Sequence, residues 1–237
     1  MRPFYFILIG TVLLLGVAQA EPNPHVVLFG KEMRVKLFLG PREDKSADMN
    51  IRALSVDGRI REFTTGEPHQ ISGTQFVVRK AFRLNDWLPE DQEKAALAPP
   101  GSRTAHNWKW QRGGWLLVDI ASGRISELKL PDFDPFYSLA GWYRDYVAYC
   151  GLSGDGETLY AVVAQLGQKR PVLHQELGPA QSGDLPDSEC AQPDWQSGPT
   201  RVVFNPVNRR KLTFKLAEEA ANPASAPQPP PPQPGKQ

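Results

Sequence analysis

The feature that most constrains the fold of this chain is a period-two alternation of apolar side chains, cut repeatedly by glycine turns. In Met33-Arg34-Val35-Lys36-Leu37 the apolar residues take every second place, which puts them on one face of a strand. Phe76, Val78, Phe82 and Leu84 keep one parity while Arg79 and Arg83 fall opposite, predicting a strand with one buried and one wet face. Asp57-Gly58 stands between Leu54-Ser55-Val56 and Arg59-Ile60, the pattern of a tight hairpin with a type I′ turn. Ser122-Gly123 predicts the same device between Trp115–Ile120 and Arg124–Leu130. Asp155-Gly156 joins Tyr146–Leu152 to Thr158–Leu166, and Gly167 to Arg170 turn the chain back into Pro171–Leu177. A last pair is expected over Arg201–Asn205 and Lys211–Leu216. The expected class is all-β with antiparallel sheets.

One internal echo is visible. Gly58-Arg59-Ile60-Arg61-Glu62-Phe63 returns as Gly123-Arg124-Ile125-Ser126-Glu127-Leu128, and each copy follows an apolar strand ending near Asp57 or Asp119. Each copy leads through a loop to an aromatic-rich strand, Phe76–Leu84 and Trp142–Cys150. These units resemble the hairpins of β-propeller blades, and the resemblance implies packed sheets of a partial-propeller or sandwich kind. The chain also resembles strand-rich exported bacterial proteins, which implies no particular activity. The only helical segment expected is Pro89–Leu97, with proline and acidic residues in its first turn and Pro99-Pro100 as its stop.

Both ends of the chain read differently from its middle. Arg2, an apolar run from Phe4 to Val17 and the small residues Ala18 and Ala20 make a secretory signal peptide over 1–20, with cleavage before Glu21. A single β-rich domain is expected over 21–217. Residues 218–237 hold the run Pro229 to Pro232 and little that is apolar, so they are expected to form a disordered Pro/Gln-rich tail. That tail serves as a spacer or docks in a groove that reads polyproline.

An exported chain folds where thiols oxidise, so Cys150 and Cys190 are expected to form a disulfide. The expected address is the periplasm or the cell exterior. Loss of the leader removes only Arg2 among the charged residues and leaves 26 basic and 26 acidic side chains. Such a balance argues against a nucleic-acid partner, whose affinity rests on neutralising phosphates. No zinc-protease, Ser-elbow or phosphate-loop motif occurs, and His25, His69, His106 and His174 stand alone. No catalytic residue, metal ligand or cofactor site is therefore assigned.

The aromatic residues are the functional lead. Trp108, Trp110, Trp142, Tyr143 and Tyr146 form the candidate ligand surface, because rigid rings offer large contact area at small entropy cost. The same rings fill an inter-sheet core in the simpler reading. The function expected is a non-enzymatic module that contacts an envelope protein or a glycan. The rival is a hydrolase of extracellular polysaccharide or peptide, using paired carboxylates such as Asp132 with Asp134 or Asp155 with Glu157.

Overall fold

The computed structural model describes residues 25–38, 46–85, 108–180 and 190–216. The expected leader, the expected helix over Pro89–Leu97 and the expected tail lie outside them. Among the described residues there are fourteen strands and no helix, so none is long and apolar enough to cross a membrane. The fold is all-β with several sheets, and nearly all of the pairings are antiparallel.

The first half of the chain builds one sheet that closes on itself. It comprises β1 (Val27–Phe29), β2 (Met33–Phe38), β3 (Ser46–Val56), β4 (Arg59–Gln70), β5 (Gln75–Asn85), β6 (Trp108–Asp119) and β7 (Arg124–Leu128). Strands β2 to β6 follow one another as a meander, and β2 then pairs with β6 through Leu37 to Trp110 and Phe38 to Gln111. That closing pair is parallel, as the first and last of five alternating strands must be. Register shifts in β3–β4, β4–β5 and β5–β6 supply the bends that let so few strands form a barrel. Strand β1 extends the sheet on β3, and β7 extends it on β6. Positive φ at both Asp57 and Gly58 fits the expected type I′ turn.

Two groups of side chains fill the barrel. Leu37, Ile51 and Ala81 pack with Val35, Met49, Phe63 and Trp110. Leu54, Phe76, Val78, Leu116 and Val118 pack with Val27, Phe29, Ile120 and Ile125. Each fully buried aliphatic side chain contributes roughly 1.5–3 kcal/mol relative to exposure.

The second half forms two further sheets. Strands β8 (Gly141–Tyr143), β9 (Tyr146–Leu152), β10 (Thr158–Gln165) and β11 (Leu173–Pro179) make a four-stranded meander. Strands β12 (Asp194–Gln196), β13 (Arg201–Phe204) and β14 (Leu212–Lys215) make a three-stranded one. Ala148, Cys150, Leu159, Ala161 and Val163 meet Val202 and Phe204 in a core shared by these two sheets. Cys150 and Cys190 are disulfide-bonded inside it, with Cα atoms 6.1 Å apart. The opposite faces of β9 and β10 carry Val147, Tyr149, Val162 and Ala164, which pack with Phe133 and Trp142. These two strands are thus buried on both faces, which suits their near-continuous apolar sequence.

Three expectations need correction. Strand β5 has no wet face at its start, because Val77 and Arg79 are buried as Phe76 and Val78 are. Trp142–Cys150 is two strands, not one, since Arg144 takes φ 51° and the chain turns there. The turn after β6 is the four-residue stretch Ile120 to Gly123, with positive φ only at Gly123. The two echoed segments open β4 and β7 of the same sheet.

Candidate functional site

The hairpin of β8 and β9 sorts its rings by parity. Trp142 lies opposite Val147 and points toward the barrel, whereas Tyr143 lies opposite Tyr146 on the other face. On that other face Tyr143 stacks on Trp195 at 5.4 Å and 24° between planes, and Tyr146 tilts against the same indole at 6.5 Å. The Arg144 guanidinium sits 5.3 Å from the Tyr143 ring, a cation–π contact at the hairpin tip. Arg144 is exposed and the three rings are half-buried. Trp195 is held by its indole N–H, which donates to the Gly141 carbonyl at 3.0 Å. Gly141 admits this approach because a Cβ there would lie 2.5 Å from the Pro193 carbonyl oxygen. The result is an aromatic ladder of Arg144, Tyr143, Trp195 and Tyr146 that reaches solvent from the second half of the chain.

The barrel side of the hairpin is a junction instead. Trp142 meets Trp115 edge-on at 5.2 Å and stacks on His69 at 5.9 Å. The His69 Nε2–H donates to the Arg144 carbonyl at 2.9 Å, which places the proton on Nε2. Arg79 is only 6% exposed and lies over the rings of Trp115 and Phe133, at 5.5 and 4.7 Å. Its Nη2 donates to the Pro135 carbonyl at 2.7 Å, and Arg112 reaches the next carbonyl, that of Phe136, at 3.5 Å. Burial, and then the charge of Arg112, push the Arg79 guanidinium down to about 9. The Nε atoms of Arg79 and Arg112 and the indole nitrogens of Trp115 and Trp142 are buried without an acceptor. This is a cationic and aromatic joint between barrel and second half, and among the described residues no carboxylate is bonded to either arginine.

The candidate residues therefore fall in separate places. Tyr143 and Tyr146 share the ladder, while Trp142 belongs to the junction. Trp110 packs edge-on against Phe63 at 5.0 Å in the barrel core, with Arg83 above it. Trp108 begins β6, and its side chain lies outside the described residues. Trp195, Arg79 and His69 were not selected from sequence. Nothing in Pro193-Asp194-Trp195 signals that this short strand meets a hairpin some fifty residues earlier.

Asp132, Asp134 and Asp155 are engaged in hydrogen bonds that hold their loops, whereas among the described residues Glu157 takes part through its backbone alone. Asp134 Oδ1 accepts the amides of Phe136 and Tyr137 at 2.7 and 2.8 Å, and the Ser138 hydroxyl accepts the Asp134 amide. Asp132 takes φ 53° and bonds His174 Nε2 at 2.6 Å, its carbonyl accepting the Leu152 amide. Asp155 accepts the Ser153 hydroxyl and the Glu157 amide, and the first of these bonds does most to lower its pKa. The Tyr149 hydroxyl donates to the Pro131 carbonyl at 2.6 Å, and burial followed by the Asp132 charge raises its pKa. Among the described residues no three of His, Cys, Asp and Glu gather as metal ligands.

Comparison with protein-family models, with curated proteins and with solved structures finds no match for this chain.

Proposed function

We propose that this chain is an exported, non-enzymatic interaction module of the cell envelope, and that it contacts another envelope protein or a glycan through the aromatic ladder. The observation that carries this reading is the stacked set of Tyr143, Trp195 and Tyr146, half-exposed and topped by Arg144. Rigid rings with a flanking guanidinium offer apolar area and hydrogen-bond donors at one place, the combination found at binding hot spots. The buried Cys150–Cys190 bridge supports maturation in an oxidising compartment. The occupation of Asp132, Asp134 and Asp155 in loop bonds favours binding over hydrolysis. In the same reading the four- and three-stranded sheets form a sandwich that carries the ladder at one end.

Glycan-array screening and pull-down from envelope extracts test it, with three variants compared. Trp195→Ala and Tyr143→Ala are expected to lose the ligand and keep most of the fold. Trp142→Ala is expected to lower thermal stability and to spare binding at temperatures where it stays folded. Retention of every ligand by both ladder variants refutes the proposal.

A further inference from the structure

The joint between the barrel and the second half is rich in donors and short of acceptors. Nε of Arg79, Nε of Arg112 and the indole nitrogens of Trp115 and Trp142 are sealed from solvent with no acceptor among the described residues. Folded interiors pair nearly every such group, so four in one joint call for an explanation. The two arginines are neighbours. Each spends Nη2 on one of two consecutive carbonyls, those of Pro135 and Phe136, whose Cα atoms stand about 3.8 Å apart. Among the described residues Nη1 of either arginine makes no hydrogen bond, and, unlike Nε, neither Nη1 is sealed from solvent. Arg112 is half-buried, so this side of the pair opens outward.

Charge selects the occupant. The charged side chains that act on Arg79 are Arg112, which opposes its charge, and Asp134, which favours it. Asp134 is held by its own loop, Oδ1 accepting the amides of Phe136 and Tyr137. Among the described residues it forms no ion pair with either arginine. Lys80, next to Arg79 in the chain, is paired with Glu127 and Glu62. Two guanidinium groups and one carboxylate therefore leave a single positive charge unbalanced.

Water does not meet that need. A water that accepts from a guanidinium must place two hydrogens of its own, and a joint made of donors gives them little to bond. A monovalent anion accepts several N–H bonds, donates none and balances the charge. A divalent oxyanion would overshoot it. We infer that Arg79 and Arg112 form a binding site for one small monovalent inorganic anion of the halide class, seated at their two Nη1 atoms. The anion bridges β5, β6 and, through the two Nη2 bonds, the loop at Pro135 and Phe136. The inference is independent of the aromatic ladder.

Heteronuclear NMR of the full chain tests it at the arginine Nε–H groups, whose burial slows exchange with water. Sodium chloride is titrated against sodium gluconate at constant ionic strength, so that screening is the same in both. The Nε–H resonances of Arg79 and Arg112 are expected to move saturably with chloride and with bromide. The Trp195 indole, bonded to the Gly141 carbonyl, is expected to stay in place. Arg112→Gln removes one of the two guanidinium groups and is expected to weaken the affinity about tenfold or more. Arg201→Gln, at an exposed arginine bonded to Gln196, is expected to bind as wild type. Bromide in crystals is expected to give an anomalous peak within hydrogen-bond reach of Nη1 of both Arg79 and Arg112. Shifts that never saturate in the wild type overturn the inference, and so does unchanged affinity in Arg112→Gln. Should that variant fail to fold, the wild-type crystal decides. Bromide between the two arginines supports the site, and its absence there overturns it. A saturable response to sulfate with none to halide overturns the monovalent assignment.

Discussion

Arg79 and Pro135 are joined by a 2.7 Å hydrogen bond that crosses from the barrel to the loop packed on it, in a place where water hardly reaches. The bond satisfies a carbonyl, yet among the described residues the charge that makes it has no anionic partner in contact. Desolvating a guanidinium is unfavourable, and burial together with the charge of Arg112 pushes its pKa down to about 9; the group nevertheless stays protonated at neutral pH.

Two substitutions at this position are therefore expected to differ sharply. Arg79→Ala removes the donor and the packing against Trp115 and Phe133, and should destabilise by about 3 kcal/mol. Arg79→Met keeps most of the volume and removes the buried charge, so its loss should stay below about 1.5 kcal/mol. Urea unfolding of the two variants checks the order, and equal losses would refute it.

Acid and alkaline limits of stability should trace to two exposed networks. The bond from His25, then that from the Val26 amide, holds the Asp57 carboxyl below its ordinary 3.8. A lowered carboxyl stabilises the fold above 3.8, and that contribution fades as pH falls below it. The Glu127 bond leads the causes that raise Lys80 above 10.5, with the Glu62 charge adding to it. Its contribution is present below 10.5 and disappears as pH rises beyond that value. Thermal melts across pH should show a shallower acid limb for Asp57→Asn and a shallower alkaline limb for Lys80→Met.

Gly151 is required by a close approach. A Cβ there would lie 2.6 Å from the Asp132 carbonyl oxygen, the acceptor for the Leu152 amide. Gly151→Ala should therefore destabilise by about 2 kcal/mol, through strain and the weakened bond. Gly154→Ala meets nothing within 4 Å and should stay within about 0.5 kcal/mol of wild type. Chemical unfolding of both variants tests the contrast.

The disulfide makes a further quantitative claim. Linking residues forty apart restricts the unfolded chain, so Cys150→Ala/Cys190→Ala should lose about 4 kcal/mol in the chain-entropy account. Equilibrium unfolding measures the loss, and two free thiols in the wild-type protein would contradict the bridge.

Much of the secondary structure was legible in the residues alone. Alternation in Met33–Leu37, the Asp57-Gly58 turn and the hairpin at Asp155-Gly156 each depend on neighbours in the chain, and each strand stands where that pattern places it. The site was far less legible. Parity shows that two side chains share a face, but not what comes to cover that face. Arg79 reads as part of a wet face until the loop at Pro135 packs on it. The rings of 142–149 read as one strand because Arg144 carries no turn signature, and the break there separates Trp142 from Tyr143.

Period-two patterning, turn chemistry and an even pair of cysteines were enough to determine that this chain is built of antiparallel strands and carries a disulfide. Only the tertiary structure decided that β2 closes a ring with β6, that the buried Arg79 and the half-buried Arg112 reach consecutive carbonyls, and that Trp195 completes a ladder begun by Tyr143. The physical reason is range. Backbone preferences act over a few residues, whereas strand edges and sheet faces pair across any separation, and what they meet depends on the whole packed chain.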